Sequence, residues 1–183
     1  MSKILVYPNE ILRNKAAKVT KVDKKLLNQI EKLKNILSKG ENAAGLAAPQ
    51  LGISKEFFGV KTRDGVKVFI NPKIEKTFGE RVFPKLIGEN GKEEDFLEGC
   101  LSFPNFFGTV KRYLKIEVEW GELIDKKIVS KTEEFVGFEA IVWQHEFDHL
   151  MGKLFVDYVK EEEGKFYKNV GKEMVKWNIN KVI

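Results

Sequence analysis

Gln144-His145-Glu146-Phe147-Asp148-His149-Leu150 is the stretch on which the reading of this 183-residue sequence turns. Its two histidines are the only ones in the chain, and they stand four apart with Glu146 between them. On an α-helix, side chains four apart lie on one face, separated by about 6 Å of rise. Both imidazoles can then reach one metal ion. Glu146, about 100° around the helix, can touch a water at that ion without being a ligand. Two imidazoles and a carboxylate on a core helix are costly to bury without a strong partner. A divalent metal is such a partner; a hydrogen-bonded pair of buried histidines is the alternative.

Working outward, residues 137–151 read as a helix closed by Gly152. Phe138, Ile141 and Val142 accompany the histidines on one face, and Trp143, Phe147 and Leu150 are apolar on the others. A helix apolar nearly all round is a buried one. Residues 23–39 predict a second helix, with Asp23 as cap, Leu26, Leu27, Ile30, Leu33 and Leu37 as the apolar face, and Gly40 as its end. Residues 41–52 read as a Gly/Ala loop. Residues 57–61 and 66–70 predict two strands around Arg63-Asp64-Gly65, the second stopped by Asn71-Pro72. Residues 113–120 alternate as a half-buried strand, 121–125 read as a turn, and 127–130 with 133–136 continue the sheet. Residues 76–95 are polar and Gly-rich, an exposed loop or irregular hairpin of the kind that borders a site. Phe166, Val170, Met174 and Trp177 fall at helical spacing and predict a C-terminal helix, weakened by Gly164 and Gly171. Separate strands and helices, rather than strict alternation, indicate α+β, in a single catalytic domain over residues 1–183.

Composition narrows the class. With 43% hydrophobic and 32% charged residues the chain suits a folded globular protein, not wholesale disorder. No apolar run is long enough for a transmembrane helix, and residues 1–7 lack a signal-peptide pattern. The lone Cys100 excludes an internal disulfide, so a reducing cytoplasm is the expected compartment. Net charge is +5, from 32 basic against 27 acidic side chains, without an arginine cluster. A solvated surface is expected, with no specific nucleic-acid site and no membrane partner.

Two imidazoles leave a metal in need of a third ligand. It is either a downstream glutamate or Cys100, which lies in Leu97-Glu98-Gly99-Cys100-Leu101-Ser102-Phe103-Pro104. A lone cysteine otherwise serves as a small core residue. Thiolate plus two imidazoles leaves one tetrahedral position open for water, the pattern of a catalytic site. In Gly45-Leu46-Ala47-Ala48-Pro49-Gln50-Leu51-Gly52, small residues allow close backbone approach and Gln50 can donate to an oxyanion. Taken alone, that segment reads more readily as loop packing.

Together, the Gly-rich segment ending Ala47-Ala48-Pro49-Gln50, the Glu98–Ser102 segment and the histidine helix resemble the peptide deformylases, in which these motifs occur in this order. The similarity runs from about Val6 to Tyr158 and includes Asn71-Pro72 and the Val110–Arg112 step. The resemblance implies antiparallel sheets packed around the central histidine helix. It implies a hydrolase that removes the formyl group from the N-terminal formyl-methionine of newly made polypeptides. It assigns Cys100, His145 and His149 as metal ligands, Glu146 as general acid/base, and the Gln50 side chain and Leu101 N–H as oxyanion donors. Gly45 and Gly99 would pair with the substrate backbone; Phe138, Ile141 and Val142 would border the methionine pocket. Ala44 stands where a larger aliphatic residue is common, giving that pocket a roomier edge, and Phe106 and Phe107 replace a polar contact with an aromatic wall. The cofactor implied is one divalent ion, Fe(II) with Zn(II) or Ni(II) able to replace it. The partners implied are formyl-methionyl nascent chains, with weak association with ribosomes.

Overall fold

In the computed structural model, which describes residues 4–88, 91–171 and 173–183, α1 (Lys24–Lys39) follows its sequence pattern. The Asp23 carboxylate accepts from the Leu26 N–H at 2.9 Å, and Leu26, Ile30, Leu33 and Leu37 are buried. The Gly/Ala stretch contains β1 (Gly45–Ala47) and a 3-10 turn (Ala48–Leu51). Then come β2 (Phe57–Thr62), β3 (Gly65–Phe78), β4 (Lys85–Ile87), β5 (Glu93–Asp95), β6 (Glu98–Cys100) and β7 (Phe103–Gly108). The long hairpin β8 (Lys115–Ile124) and β9 (Lys127–Val136) leads into α2 (Phe138–Leu150), which carries both histidines. After α3 (Phe155–Glu161), β10 (Phe166–Val170) and β11 (Glu173–Lys176) complete the elements that matter here.

The strands form a five-stranded sheet, β1-β2-β3-β8-β9, a four-stranded sheet, β11-β10-β7-β6, and a separate β4-β5 pair. All pairings within them are antiparallel. The fold is α+β, as expected. The two faces of the larger sheet do different work. Phe57 and Ile70 pack toward α1, whereas Phe58, Phe69, Ile116, Val118 and Trp120 pack toward Trp143 and Leu150 of α2. Period-two alternation turns successive residues such as Phe57 and Phe58 to opposite faces. A third core, including Phe103, Phe155, Val159 and Phe166, joins the smaller sheet to α3. The larger sheet therefore packs on α2, and the smaller one packs on α3 and reaches α2 at Cys100 and His149.

Several local expectations fail for identifiable reasons. The C-terminal segment is a hairpin, not a helix. Gly171 sits at φ +70° and makes the reversal, and β10 pairs with β7 through Phe166↔Gly108 and Tyr167↔Phe107. Ladder hydrogen bonds and the stacking of Phe166 on Phe106 (5.5 Å, 3°) outweigh a helical spacing already interrupted by glycine. Asn71-Pro72 does not stop β3; the register shifts between Ile70 and Lys73, so the proline needs no ladder partner there. Asn71, at φ 48°, uses its side chain to accept from the Val19 N–H and donate to the Val19 carbonyl, both at 2.8 Å. Gly121 lies within β8 opposite Ser130, and the turn falls at Asp125-Lys126, both at positive φ. Of the stretch 113–120 read as a half-buried strand, Leu114 precedes β8 and is exposed. The polar stretch at 76–95 holds the end of β3 and the β4-β5 hairpin; residues 89 and 90 of it lie outside the described residues. The short helix α3 has no counterpart in the sequence reading.

Candidate active site

The four-residue step from His145 to His149 makes about one turn of α2, and the rings meet edge to face with centroids 5.1 Å apart. Cys100, at the end of β6, meets them from the smaller sheet: its Sγ lies 3.3 Å from His149 Nε2. One ligand atom from each of Cys100, His145 and His149 falls within 4.8 Å of the others. That geometry suits a single ion held by sulfur and two nitrogens.

Glu146 is buried, and its Oε2 has no hydrogen-bond partner among the described residues. Burial, reinforced by the charges of Glu98 and Asp148 against the opposing His145, pushes its carboxyl up to about 7. A cation beside it would draw that value down again. Gly45 of β1 lies directly on this carboxylate. A Cβ built there would stand 2.6 Å from Cγ and 2.7 Å from Cδ of Glu146, so only glycine permits the approach. Gln50 is fixed by its Oε1, which accepts from the Ala47 N–H at 2.8 Å, and its Nε2 points to Cys100 Sγ at 3.6 Å.

One cleft of about 590 Å³ gathers these groups. Ala44, Gly45 and Gln50 line one wall; Gly99, Cys100 and Leu101 line another; Phe138, Ile141, Val142, His145 and Glu146 form the α2 side. His149 is the one sequence-selected residue outside that lining, being buried behind Cys100 at 1% exposure. Phe106 and Phe107 border the cleft beside Gly99, as does Phe96, which meets Phe138 edge-on at 5.9 Å. The free edges of the two sheets, β1 and β6, both contribute to it.

Beneath the cleft lies a charged group whose members the sequence contained but to which it assigned no role. Arg112 donates from Nε and Nη2 to the two oxygens of Glu98 (2.7 and 2.9 Å) and from Nη1 to Asp148 Oδ2 (2.6 Å). Glu98 Oε2 also meets His145 Nδ1 at 2.9 Å, leaving Nε2 of that ring for the metal. The Tyr158 hydroxyl donates to Asp148 at 3.0 Å. Burial opposes the charge on Glu98, but Arg112 outweighs it and, with His145, holds the carboxyl down to about 2. Burial likewise opposes charge on His145, and its bonds to Cys100 and Glu98 raise its pKa well above the ordinary value. Burial sends His149 the other way, well below it. The signal available in sequence was faint: Glu98 and Asp148 sit inside the motif segments, and Arg112 lies between those segments in the chain.

Comparison with known proteins agrees with this geometry. The family model described as polypeptide deformylase matches residues 1–165. Peptide deformylase 2 of Clostridium acetobutylicum is 37% identical over 161 residues, covering 88% of this chain and 97% of that protein. The crystal structure of peptide deformylase from Thermotoga maritima superposes with a TM-score of 0.73 at 35% identity, covering 86% of this chain and 97% of that one. The Plasmodium falciparum peptide deformylase complex with inhibitor gives a TM-score of 0.71 at 31% identity, covering 88% and 93%.

Proposed function

The chain belongs to the peptide deformylase family, metal-dependent hydrolases that remove the formyl group from the N-terminal formyl-methionine of nascent polypeptides, and we propose that Glu146 is the acid and base of that reaction here. Cys100, His145 and His149 are its metal ligands. The donor set supports this: a thiolate and two imidazoles converge within 4.8 Å, and a buried carboxylate oxygen of the neighbouring Glu146 has no hydrogen-bond partner among the described residues. Cys100, His145 and His149 would hold one divalent ion, which would supply Lewis-acid polarisation of the formyl carbonyl and would lower the pKa of water at the site toward about 7.

The remaining work belongs to the chain's own groups. An extended peptide laid between the free edges of β1 and β6 pairs with the backbone at Gly45 and Gly99. Its methionine side chain enters the apolar part of the cleft bounded by Ala44, Phe138, Ile141 and Val142. Glu146 accepts a proton from the attacking water as its oxygen adds to the formyl carbon. The Gln50 Nε2–H and the Leu101 N–H donate to the carbonyl oxygen as it gains charge; one such donor is worth about 3 kcal/mol in comparable sites. Glu146 then passes the proton to the departing amine nitrogen, and formate leaves.

The observation that carries this reading is the convergence of three separate segments on one cleft, with Cys100 and His145 in its lining and His149 within 4.8 Å of both behind it. Its test is formate release from a formyl-Met-Ala-Ser peptide by protein purified without oxygen and with Fe(II) retained. Rapid release, lost in a Glu146→Ala variant that still binds metal, is the expected result. No release with one metal bound per chain overturns it. Fe(II) is the native ion in this reading, replaceable by Zn(II) or Ni(II), and metal analysis of anaerobically prepared protein decides. The substrate places the enzyme in the cytoplasm, and weak association with ribosomes is checked by cosedimentation. Among the described residues, no helix is long and apolar enough to cross a membrane.

A further inference from the structure

Residues 4–7 cross the outer side of the two loops that carry the oxyanion donors. The Leu5 N–H donates to the Gln50 carbonyl at 2.8 Å, and the Tyr7 N–H donates to the Ser102 carbonyl at 2.9 Å. This strap is anchored in turn: the Tyr7 ring stacks on Phe103 at 5.0 Å, and the Arg13 guanidinium lies over Tyr7 at 5.5 Å. The side chains of the same two loop residues also bond to each other, with Gln50 Nε2 donating to Ser102 Oγ at 3.2 Å. Gln50 and Ser102 are 2% and 1% exposed.

These contacts close a ring that runs from Leu5 to the Gln50 backbone, through both side chains to Ser102, and back to Tyr7. The orientation of the carboxamide is settled by the Ala47 N–H, which can only meet its oxygen. Nε2 carries two hydrogens. Ser102 takes one, and the other faces Cys100 Sγ at 3.6 Å, at the base of the cleft.

We infer that Ser102, held by the backbone strap of Leu5 and Tyr7, is a positioning residue for Gln50. It takes up one N–H of the carboxamide so that the other is already aimed where the oxyanion develops. Preorganised donors act without reorganisation during the reaction, so loosening one weakens the transition state rather than substrate binding. This inference rests on the oxyanion role proposed above for Gln50.

A double-mutant cycle on metal-loaded protein tests it. Gln50→Ala is expected to lower kcat about 100-fold. Ser102→Ala is expected to lower it about tenfold, with KM and bound metal unchanged. In the Gln50→Ala background, Ser102→Ala should change kcat less than about twofold. Leu5→Pro, which deletes the strap's N–H, should lower kcat severalfold, whereas Leu5→Ala, which keeps it, should not. An equal loss from Ser102→Ala in both backgrounds, or a wild-type kcat in Ser102→Ala alone, overturns the inference. A wild-type kcat in Gln50→Ala removes the oxyanion reading first, and the positioning role with it. Should Ser102→Ala fail to fold, Leu5→Pro against Leu5→Ala in the same two backgrounds decides.

Discussion

Replacing Arg112 with methionine keeps much of the apolar stem and removes the guanidinium. Arg112 is 3% exposed and carries three charge-assisted hydrogen bonds, two to Glu98 and one to Asp148. Without it, two buried carboxylates lose the cation that balances them. Breaking a buried ion pair from one side costs about 3–5 kcal/mol, because the partner's desolvation is no longer offset. For a chain of this size each kcal/mol lowers the thermal midpoint by about 2–4 °C, so a fall on the order of 6–20 °C is expected. Glu98 also orients His145 from behind, and such outer partners are worth about 10–100-fold in metal affinity. The assay pairs calorimetric midpoints of metal-loaded protein with chelator competition for the bound ion. Arg112→Lys should recover only part of the loss, since an ammonium cannot reproduce the two-pronged bond to Glu98. Adding Glu98→Gln to Arg112→Met should recover stability, though not metal affinity, by removing one of the orphaned charges. A midpoint within about 2 °C of wild type for Arg112→Met would refute the reasoning, as it would mean that the group contributes nothing net.

Gly45→Ala forces a Cβ against Glu146, so kcat should fall by about 100-fold while bound metal is retained, as read by formate release and metal analysis on the same sample. Cys100→Ala should abolish tight metal binding and, with it, the rise in thermal midpoint that the ion gives wild-type protein when added back after chelation. Asp23 has its pKa lowered by the Leu26 N–H it accepts, so its folded value lies below the unfolded one. Its contribution is therefore present above the ordinary value of 3.8 and is lost as pH falls through the lowered one. The difference in midpoint between wild type and Asp23→Ala, measured from pH 6 downward, should shrink in that range.

The histidine helix and α1 were legible because their signals are local. Apolar positions three and four apart, an acidic cap and a closing glycine act within one segment, and no distant contact overrules them. The central chemistry shares that property: a spacing of four on a helix brings His145 and His149 together whatever surrounds them. The hairpin at β10 and β11 was not legible. Phe166, Val170, Met174 and Trp177 carry a helical spacing, but the decision was made by pairing with β7, more than fifty residues earlier in the chain. Strand pairing depends on which edge is free, and a segment does not contain its partner.

The same division runs through the site. The residue types and their motif spacing determined, from sequence, an α+β hydrolase of the deformylase kind with a metal reading centred on Cys100, His145 and His149. Only the tertiary structure turned β1 and β6 toward one cleft, set Gly45 against Glu146, and buried Arg112 between Glu98 and Asp148. The physical reason is desolvation. An arginine and two carboxylates are unremarkable in a linear string, and they acquire their strength when packing removes the water around them.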